Sequence, residues 1–441
     1  MLTREENDLI TRVGPGTPMG NLFRQYWIPA MLSSEVPQPD SDPVRIKLLG
    51  EELIAFRDSN GQVGLLQNNC PHRGASLFFG RNEEAGLRCV YHGWKFTTDG
   101  TCVDMPNEPA ESDFKAKVRA VAYPCHERNG VIWTYMGPRA TPPELPMLEP
   151  NMLPDGMWWV QAIQRECNWL QGLEGDFDTS HAGFLHSGSV RVQTLTPGSF
   201  AYYMARDKAP KYGVVYTDGG VMYTGYRAAE PGYTYHRIAQ FIFPAVSMTP
   251  TNVLGARVQN TFSVPMDDTH TIRFSFGVRT ARDGAPVDRN FSQFNYLPNT
   301  TDWYGRWRLA ENAANDYLID RDLQRRNVEY SGIRGIVQQD QAITESEGPI
   351  YDRTTERLGS SDAAIIQIRR RMIAVATALA ENGTVPPGVD NPEVYAVRSG
   401  GVILPEGADW VEATTELRKA FVEHAEIEAV VARERAAVRR V

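Results

Sequence analysis

Along this 441-residue chain the spacing of apolar and polar positions changes character. Between about Tyr26 and Pro138 the pattern is strand-like. VRIKLLG from Val44, EELIAFRD from Glu51, VGLLQ from Val63, LRCVYHGWKFT from Leu87 and GVIWTYMG from Gly130 are short β-rich runs. Asp-Ser-Asn-Gly, Glu-Ala-Gly and Thr-Asp-Gly turns separate them, as expected of a small all-β domain. The proline-rich passage 137–150, GPRATPPELPMLEP, is too stiff and too poor in donors for regular structure and marks a linker. The remainder reads as α+β. A helical stretch carries Asp178, His181 and His186. Strand-like runs follow at 213–218, 221–228, 233–244, 256–265 and 270–280, suited to an antiparallel sheet that roofs a pocket. Helical spacing returns at 302–326, around Asp340, and at 360–383, where Asn382-Gly383 is a C-terminal stop. From Trp410 to Arg440 apolar residues recur at helical spacing among many charges, which suits a surface or interface helix.

Composition narrows the classes. The chain is long enough for two or three domains with large cores. A net charge of −9 and the absence of a basic stripe argue against a nucleic-acid partner. The one basic run, Arg369 to Arg371, reads as the wet face of an amphipathic helix. Of five cysteines, Cys102, Cys125 and Cys167 follow no framework spacing, which suggests a reduced, cytoplasmic setting. The first residues lack the basic and apolar regions of a signal peptide, and no apolar run is long enough to span a membrane.

Two motifs carry chemistry. In CPHRGASLFFGRNEEAGLRCVYHGW, Cys70-x-His72 is followed after sixteen residues by Cys89-x2-His92. A structural zinc site uses the same residue types, but its common spacing puts two Cys in one half and two His in the other. Here each half contributes one of each, which suits a two-iron cluster with two His on one iron. About ninety residues on, NWLQGLEGDFDTSHAGFLHSG contains Asp178-x2-His181-x4-His186, preceded by Glu174. Two His and a carboxylate with open positions form the facial triad of non-haem Fe(II) oxygenases. On one continuous helix Asp178 and His181 would share a face. His181 and His186 would then lie roughly 140° apart, so both reach one metal only if the helix ends or distorts, for which Gly183 offers a soft place.

These motifs closely resemble the Rieske and mononuclear iron sites of Rieske oxygenase large subunits. The resemblance covers nearly the whole chain and is closest to the phthalate dioxygenase and phenoxybenzoate dioxygenase branch. It rests on TRVGPGTPMGNLFRQYWIPA, CPHRGASLFFGRNEE, LRCVYHGWKF and ESEGPIYDRTTERLGSSDAAI. It implies an N-terminal segment, 1–25, packed on a catalytic domain, then an all-β Rieske domain, 26–140, and an α+β catalytic domain, 141–441, with an antiparallel sheet gripped by helices. Cys70, His72, Cys89 and His92 are then the [2Fe–2S] ligands, and His181 and His186 ligate the mononuclear Fe(II). The third ligand is a distant carboxylate on a helix, often with Gln or Glu just before it. Asp340 is the best match, with Glu345, Glu347 and Asp352 as competitors. Asp178 becomes a bridge to the Rieske His of a neighbouring subunit, with Glu174 in support, and the assembly a homotrimer, sometimes stacked as a hexamer.

The implied reaction passes electrons from NADH, through the flavin and cluster of a separate reductase, to the Rieske centre, and adds oxygen from O2 to an aromatic ring. An aromatic carboxylate substrate needs a cation in a mostly apolar pocket, and Arg suits a carboxylate bidentately. Arg237 and Lys208 are the leading candidates, with Arg206 and Arg227 behind. Three functions stay open on the sequence: a dioxygenase of an aromatic carboxylate, a monooxygenase or aryl O-demethylase of the same family, and a bare Rieske electron carrier. An electron carrier would need no second iron, so the Asp178–His186 motif counts against it.

Overall fold

The computed structural model describes residues 1–441 except 110, 188–194, 196–199, 252, 256, 257, 280–293 and 422–441. The N-terminal β region folds as three small antiparallel sheets. In the first, β1 (Trp27–Leu32) pairs with β11 (Val131–Tyr135), which pairs with β10 (Cys125–Arg128). In the second, β2 (Val44–Leu48), β3 (Glu51–Arg57), β4 (Val63–Gln67) and β9 (Ala122–Tyr123) lie in that order. The third joins β5 (Arg81–Glu83), β6 (Gly86–Arg88), β7 (Lys95–Phe96) and β8 (Cys102–Asp104). Ile54, Phe56, Leu66, Leu77, Leu87, Trp94 and Phe96 form a separate apolar core directly beneath Cys70 and Cys89. That core gives two loops a rigid floor, because closely packed interiors hold their rotamers.

The second region is built on one antiparallel sheet in the order β12–β18–β17–β16–β15–β14–β13, with β19 also paired to β15. Its strands are β12 (Trp158–Arg165), β13 (Lys211–Tyr216), β14 (Gly220–Ala228), β15 (Tyr233–Ile242), β16 (Val246–Met248), β17 (Gln259–Pro265), β18 (Thr271–Val278) and β19 (Gly400–Pro405). The strand-like runs expected from residue 213 onward are therefore present; β12, β16 and β19 are additional. The helices are α1 (Arg4–Thr11), α2 (Pro18–Phe23), α3 (Trp169–Phe177), α4 (Phe200–Arg206), α5 (Arg321–Arg325), α6 (Ile336–Ser346), α7 (Ala363–Asn382) and α8 (Trp410–Ala413). α3 packs on β16 and β17 and α7 on β13 and β14, while α1 and α2 pack on α7. Gly383 ends α7 in the left-handed conformation, φ +65°. The two regions are tied at a turn: Leu49 and Gly50 N–H donate to the Pro265 and Met266 carbonyls, 3.0 and 2.9 Å. Lys47 Nζ lies 3.6 Å from Asp267 Oδ2.

Three expectations are corrected. Residues 302–326 are not one helix; only a 3₁₀ segment, Ala313–Leu318, and α5 are helical. Asn side chains compete for the backbone there: Asn299 accepts from Trp307 N–H at 2.9 Å and Asn312 from Ala314 N–H at 3.0 Å. Trp307, Asp316, Tyr317 and Leu318 adopt positive φ, which breaks helical continuity. Second, Arg369 is not on a wet face: it is buried and ion-paired with Glu174 and Glu356. Third, Asp178 and His181 do not share a helix face, as the site geometry shows. Of the segment from Trp410 to Arg440, α8 is short, and residues beyond 421 lie outside the described residues. None of the five cysteines forms a disulfide, and no described helix is long and apolar enough to cross a membrane.

Candidate metal centres

The Cys70 and Cys89 loops fold alike. Each Cys N–H donates across its loop to the carbonyl five residues on, Ala75 and Trp94, both at 2.8 Å. Each carbonyl accepts from the glycine four residues on, Gly74 and Gly93, both at 2.9 Å. Those glycines have φ of +74° and +80°, a conformation that Cβ-bearing residues adopt at a cost. The repeated turn explains why one Cys and one His come from each half. His72 and His92 face one another with ring centroids 4.4 Å apart, and His72 stacks on Trp94 at 4.2 Å. Trp94 is itself fixed by its Nε1 donating to Asn107 Oδ1 at 2.8 Å. Both sulfurs are buried, and burial pushes the Cys70 thiol up to about 11. Such a thiol becomes a thiolate only with a compensating cation. His72 Nδ1 is buried with no hydrogen-bond partner among the described residues, a cost that a metal bond removes. The four side chains thus fit a two-iron cluster.

The second centre is assembled from three segments. Asn168 caps α3, its Oδ1 accepting from Leu170 N–H at 3.2 Å. α3 then stops at Phe177, and Asp178 is its C-cap with extended ψ, 99°. Asp178 Oδ1 accepts from Ser180 N–H and Ser180 Oγ, each at 2.7 Å, and from His181 N–H at 3.3 Å. This Asx-type turn reverses the chain, and His181 opens a 3₁₀ turn, His181–Gly183. The helix ends before His181, not at Gly183, and that early stop lets both imidazoles point inward. His181 Nε2 and His186 Nε2 lie 3.1 Å apart. Asp340, on α6, brings Oδ1 within 3.2 Å of His186 Nε2 and 3.5 Å of His181 Nε2. These three ligand atoms lie within one ion's reach of each other.

The outer nitrogens are held differently. His181 Nδ1 faces Asp178 Oδ2 at 3.5 Å. His186 Nδ1 meets Gln339 Oε1 at 2.7 Å. Burial works against the charge of Asp178, but hydrogen bonds from His181 and Ser180 hold its carboxyl at about 2. Burial likewise disfavours the His181 imidazolium, yet Asp178 and Asp340 raise it to about 10. Asp340, despite burial, is held well below the usual carboxylate range by both histidines. Two of the competing acids are engaged elsewhere: Glu345 accepts from Glu166 N–H at 2.9 Å, and Asp352 Oδ1 from Thr354 N–H at 3.0 Å.

Glu174 does not reach the Asp178 carboxylate's side of the turn. Its oxygens are taken by Arg353 Nη2 at 2.9 Å and Arg369 Nε at 2.5 Å, in a buried network that continues to Glu356. Through Arg369 these ion pairs join α3 to α7. Among the cations, Arg237 is buried and donates from Nη1 to Thr179 Oγ1 at 2.8 Å, and from Nη2 to the Pro250 carbonyl at 3.0 Å. Thr179 belongs to the Asp178–His181 turn, so Arg237 lies against the wall of the metal site. Burial lowers Arg237 to about 10. Arg227 shares the same sheet face, and its register partner is Tyr235, two residues before Arg237. It is buried with Nε on the Asp207 carbonyl at 2.6 Å, and its Nη1 is unpartnered among the described residues. Lys208 is exposed, its Nζ 4.5 Å from the Phe184 ring centroid, beside the His181 loop. Arg206 is exposed, donates to the Ala229 carbonyl at 3.3 Å, and so does not line the buried space. Sequence reasoning missed Thr179 and the partner of Gln339; neither pairing has a local signal.

Comparison with known proteins agrees with this arrangement. Residues 26–124 match the Rieske [2Fe-2S] domain family, and residues 134–433 match the LigXa C-terminal domain-like family. The chain is 46% identical to the 3-chlorobenzoate-3,4-dioxygenase oxygenase subunit of Comamonas testosteroni, over 93% of this chain and 97% of that one. It is 39% identical to the phthalate 4,5-dioxygenase oxygenase subunit of Pseudomonas putida, over 93% and 94%. The terminal oxygenase of carbazole 1,9a-dioxygenase from Novosphingobium sp. KA1 shares the fold, with a TM-score of 0.53, 22% identity, and coverage of 83% and 97%. With a Rieske cluster in its β domain and a mononuclear iron in its α+β domain, the chain belongs to the Rieske non-haem iron oxygenases, as a terminal oxygenase subunit.

Proposed function

We propose that this oxygenase dihydroxylates an aromatic carboxylate, and that Cys70, His72, Cys89 and His92 hold its cluster while His181, His186 and Asp340 hold its iron. The observation that carries the substrate class is Arg237. A buried guanidinium bonded to the turn between Asp178 and His181 puts a positive charge beside the metal site. A guanidinium in that place can meet a carboxylate bidentately, and an aromatic carboxylate joins such an anion to an apolar body. Arg227 adds a second buried cation on the same face. Lys208 stands at the rim, where it can attract an anion but is too exposed to select one. The two relatives named above both carry names of aromatic carboxylate dioxygenases, which favours dihydroxylation over O-demethylation.

When bound, the mononuclear iron supplies open coordination positions for O2 chemistry. The chain's own residues do the rest. His181 and His186 present Nε2 inward, and Asp340 offsets part of the metal's charge. Asp178 accepts from His181 and keeps its second oxygen close to that ring, which suits a hydrogen-bonded electron path. In a head-to-tail homotrimer, or a stacked hexamer, that carboxylate would face a Rieske histidine, His72 or His92, of the neighbouring subunit. Electrons would arrive from NADH through a flavin and iron–sulfur reductase in the cytoplasm. Turnover of a panel of benzoates and phthalates with a generic reductase tests the reading. Cis-diol products with both oxygens from O2 support it; formaldehyde release from methoxybenzoates without diol formation would replace it with O-demethylation.

A further inference from the structure

We propose that Gln339 is a positioning residue that fixes the tautomer of His186, and thereby makes the two histidines of the mononuclear site electronically unequal. The proposal rests on the reading of His186 as an iron ligand. Gln339 is completely buried on α6, immediately before Asp340. Its Nε2 donates to the Ile333 carbonyl at 2.7 Å and lies 3.5 Å from Glu329 Oε2. Both neighbours are acceptors, so the NH2 end of the amide must face them. Flipping the amide would set an oxygen against the Ile333 carbonyl. The Oε1 end is therefore the one that meets His186 Nδ1 at 2.7 Å.

An oxygen at that distance demands a proton on Nδ1, because two acceptors would repel. With Nδ1 protonated, a neutral His186 has its lone pair on Nε2, which points at His181 Nε2 and Asp340 Oδ1. The proton position is thus set by a chain of acceptors running from Ile333 through Gln339, before any metal arrives. His181 differs. Its Nδ1 faces a carboxylate, Asp178 Oδ2, which draws more negative charge onto the ring than an amide oxygen does. One helix, α6, therefore supplies the carboxylate beside the metal position and also aims the histidine opposite, so both shift together if α6 moves. The neutral amide keeps His186 an ordinary imidazole donor and leaves His181 as the ring coupled to a carboxylate.

The test uses full-length protein with its cluster intact. The cluster's EPR signal reports folding of the β domain, and Fe(II) titration of the emptied mononuclear site reports affinity. Pulsed EPR of the ferrous–nitrosyl form reports the remote nitrogens of ligated imidazoles, whose quadrupole couplings follow their hydrogen bonds. The parent should show two distinct remote nitrogens. Gln339→Leu should lower Fe(II) affinity about 10- to 100-fold, as loss of an outer partner commonly does. It should shift one remote-nitrogen coupling and leave the other, that of His181, in place. Gln339→Glu presents a stronger acceptor to His186 and should shift the same coupling the opposite way, although its second oxygen now meets the Ile333 carbonyl and Glu329 and lowers stability. Unchanged couplings in both variants, or a loss of affinity in Gln339→Leu with no spectral change, would overturn the proposal and leave Gln339 a packing residue. A parent with fewer than two ligated imidazoles would instead sink the assignment of His186 as a ligand, and the proposal with it.

Discussion

The four candidate cluster residues come from two loops between Cys70 and His92, whereas the mononuclear site draws on the end of α3, a 3₁₀ turn, and a helix that begins at Ile336. The first is a local structure. Its two loops repeat one backbone hydrogen-bond pattern over a dedicated apolar core. The second depends on where separate elements pack, and its side chains are aimed partly by a local turn and partly by a distant partner. Asp178 is folded back by Ser180, and His186 is turned by Gln339. A centre of the first kind should survive damage to the second, and the reverse is less true, since electrons must come from the cluster.

The hardest break is Asp340→Ala. In the proposed ligand set it would remove the charge and one coordination bond from the mononuclear site without touching the β domain. Iron analysis with EPR should show the cluster retained and the single iron lost, with turnover abolished. Iron retained at that site would mean that another acid completes it.

Asp178→Asn should cost nearly as much and leave both centres filled. The Asn oxygen can still accept from Ser180 and His181 N–H, so the turn persists. Its NH2, however, would stand where Asp178 Oδ2 now faces His181 Nδ1. A donor there meets a donor, and an amide accepts less strongly than a carboxylate. In single-turnover mixing, oxidation of the pre-reduced cluster should slow by orders of magnitude while its reduction keeps its rate. An unchanged oxidation rate would remove Asp178 from the electron path.

Arg237→Gln sharpens the comparison from the substrate side. For a charged aromatic acid KM should rise steeply, toward the ~3–5 kcal/mol that losing one partner of a buried ion pair costs. For the corresponding amide the rise should be small. Equal changes for both would show that Arg237 only braces the Thr179 turn.

The same contrast explains what could be read from residues alone. Cys70, His72, Cys89 and His92 are legible because their spacing is the structure of the loops. The antiparallel sheet is legible because β14, β15, β17 and β18 are long β-rich runs between turn residues. Residues 302–326 mislead: charged and aromatic residues at helical spacing invite a helix, while Asn312 and Asn315 bond to nearby backbone and stop it. His181, His186 and Asp340 could be named from resemblance, but their meeting depends on α3 stopping at Phe177. Gln339 was visible as a letter before Asp340; its target, His186, lies more than a hundred residues away in the chain. Arg369 looked like part of a solvated basic run because its two carboxylate partners, Glu174 and Glu356, come from α3 and from the loop before α7.

Glu174→Gln carries the smallest expected effect on chemistry and separates position from participation. Glu174 lies on the α3 turn just before Asp178, whose N–H donates to the Glu174 carbonyl at 3.1 Å. Its place in the motif, read with the resemblance, made it a partner of the bridge. Its carboxylate instead sits between Arg353, which is fully buried, and Arg369. Burial by itself would raise the Glu174 carboxyl, but the two guanidiniums hold it below its ordinary value. A neutral amide keeps the shape and one acceptor but leaves two buried cations with Glu356 as their remaining strong anion. Uncompensated buried charge of this kind costs about 3–5 kcal/mol, so thermal unfolding should begin several degrees lower. Because the backbone bond from Asp178 N–H is untouched, the Asx turn and the His181 orientation should persist. Molecules that remain folded at low temperature should therefore oxidise their cluster at the parent rate and carry a full complement of iron. A stable variant with slow cluster oxidation would reverse the assignment and return Glu174 to the electron path.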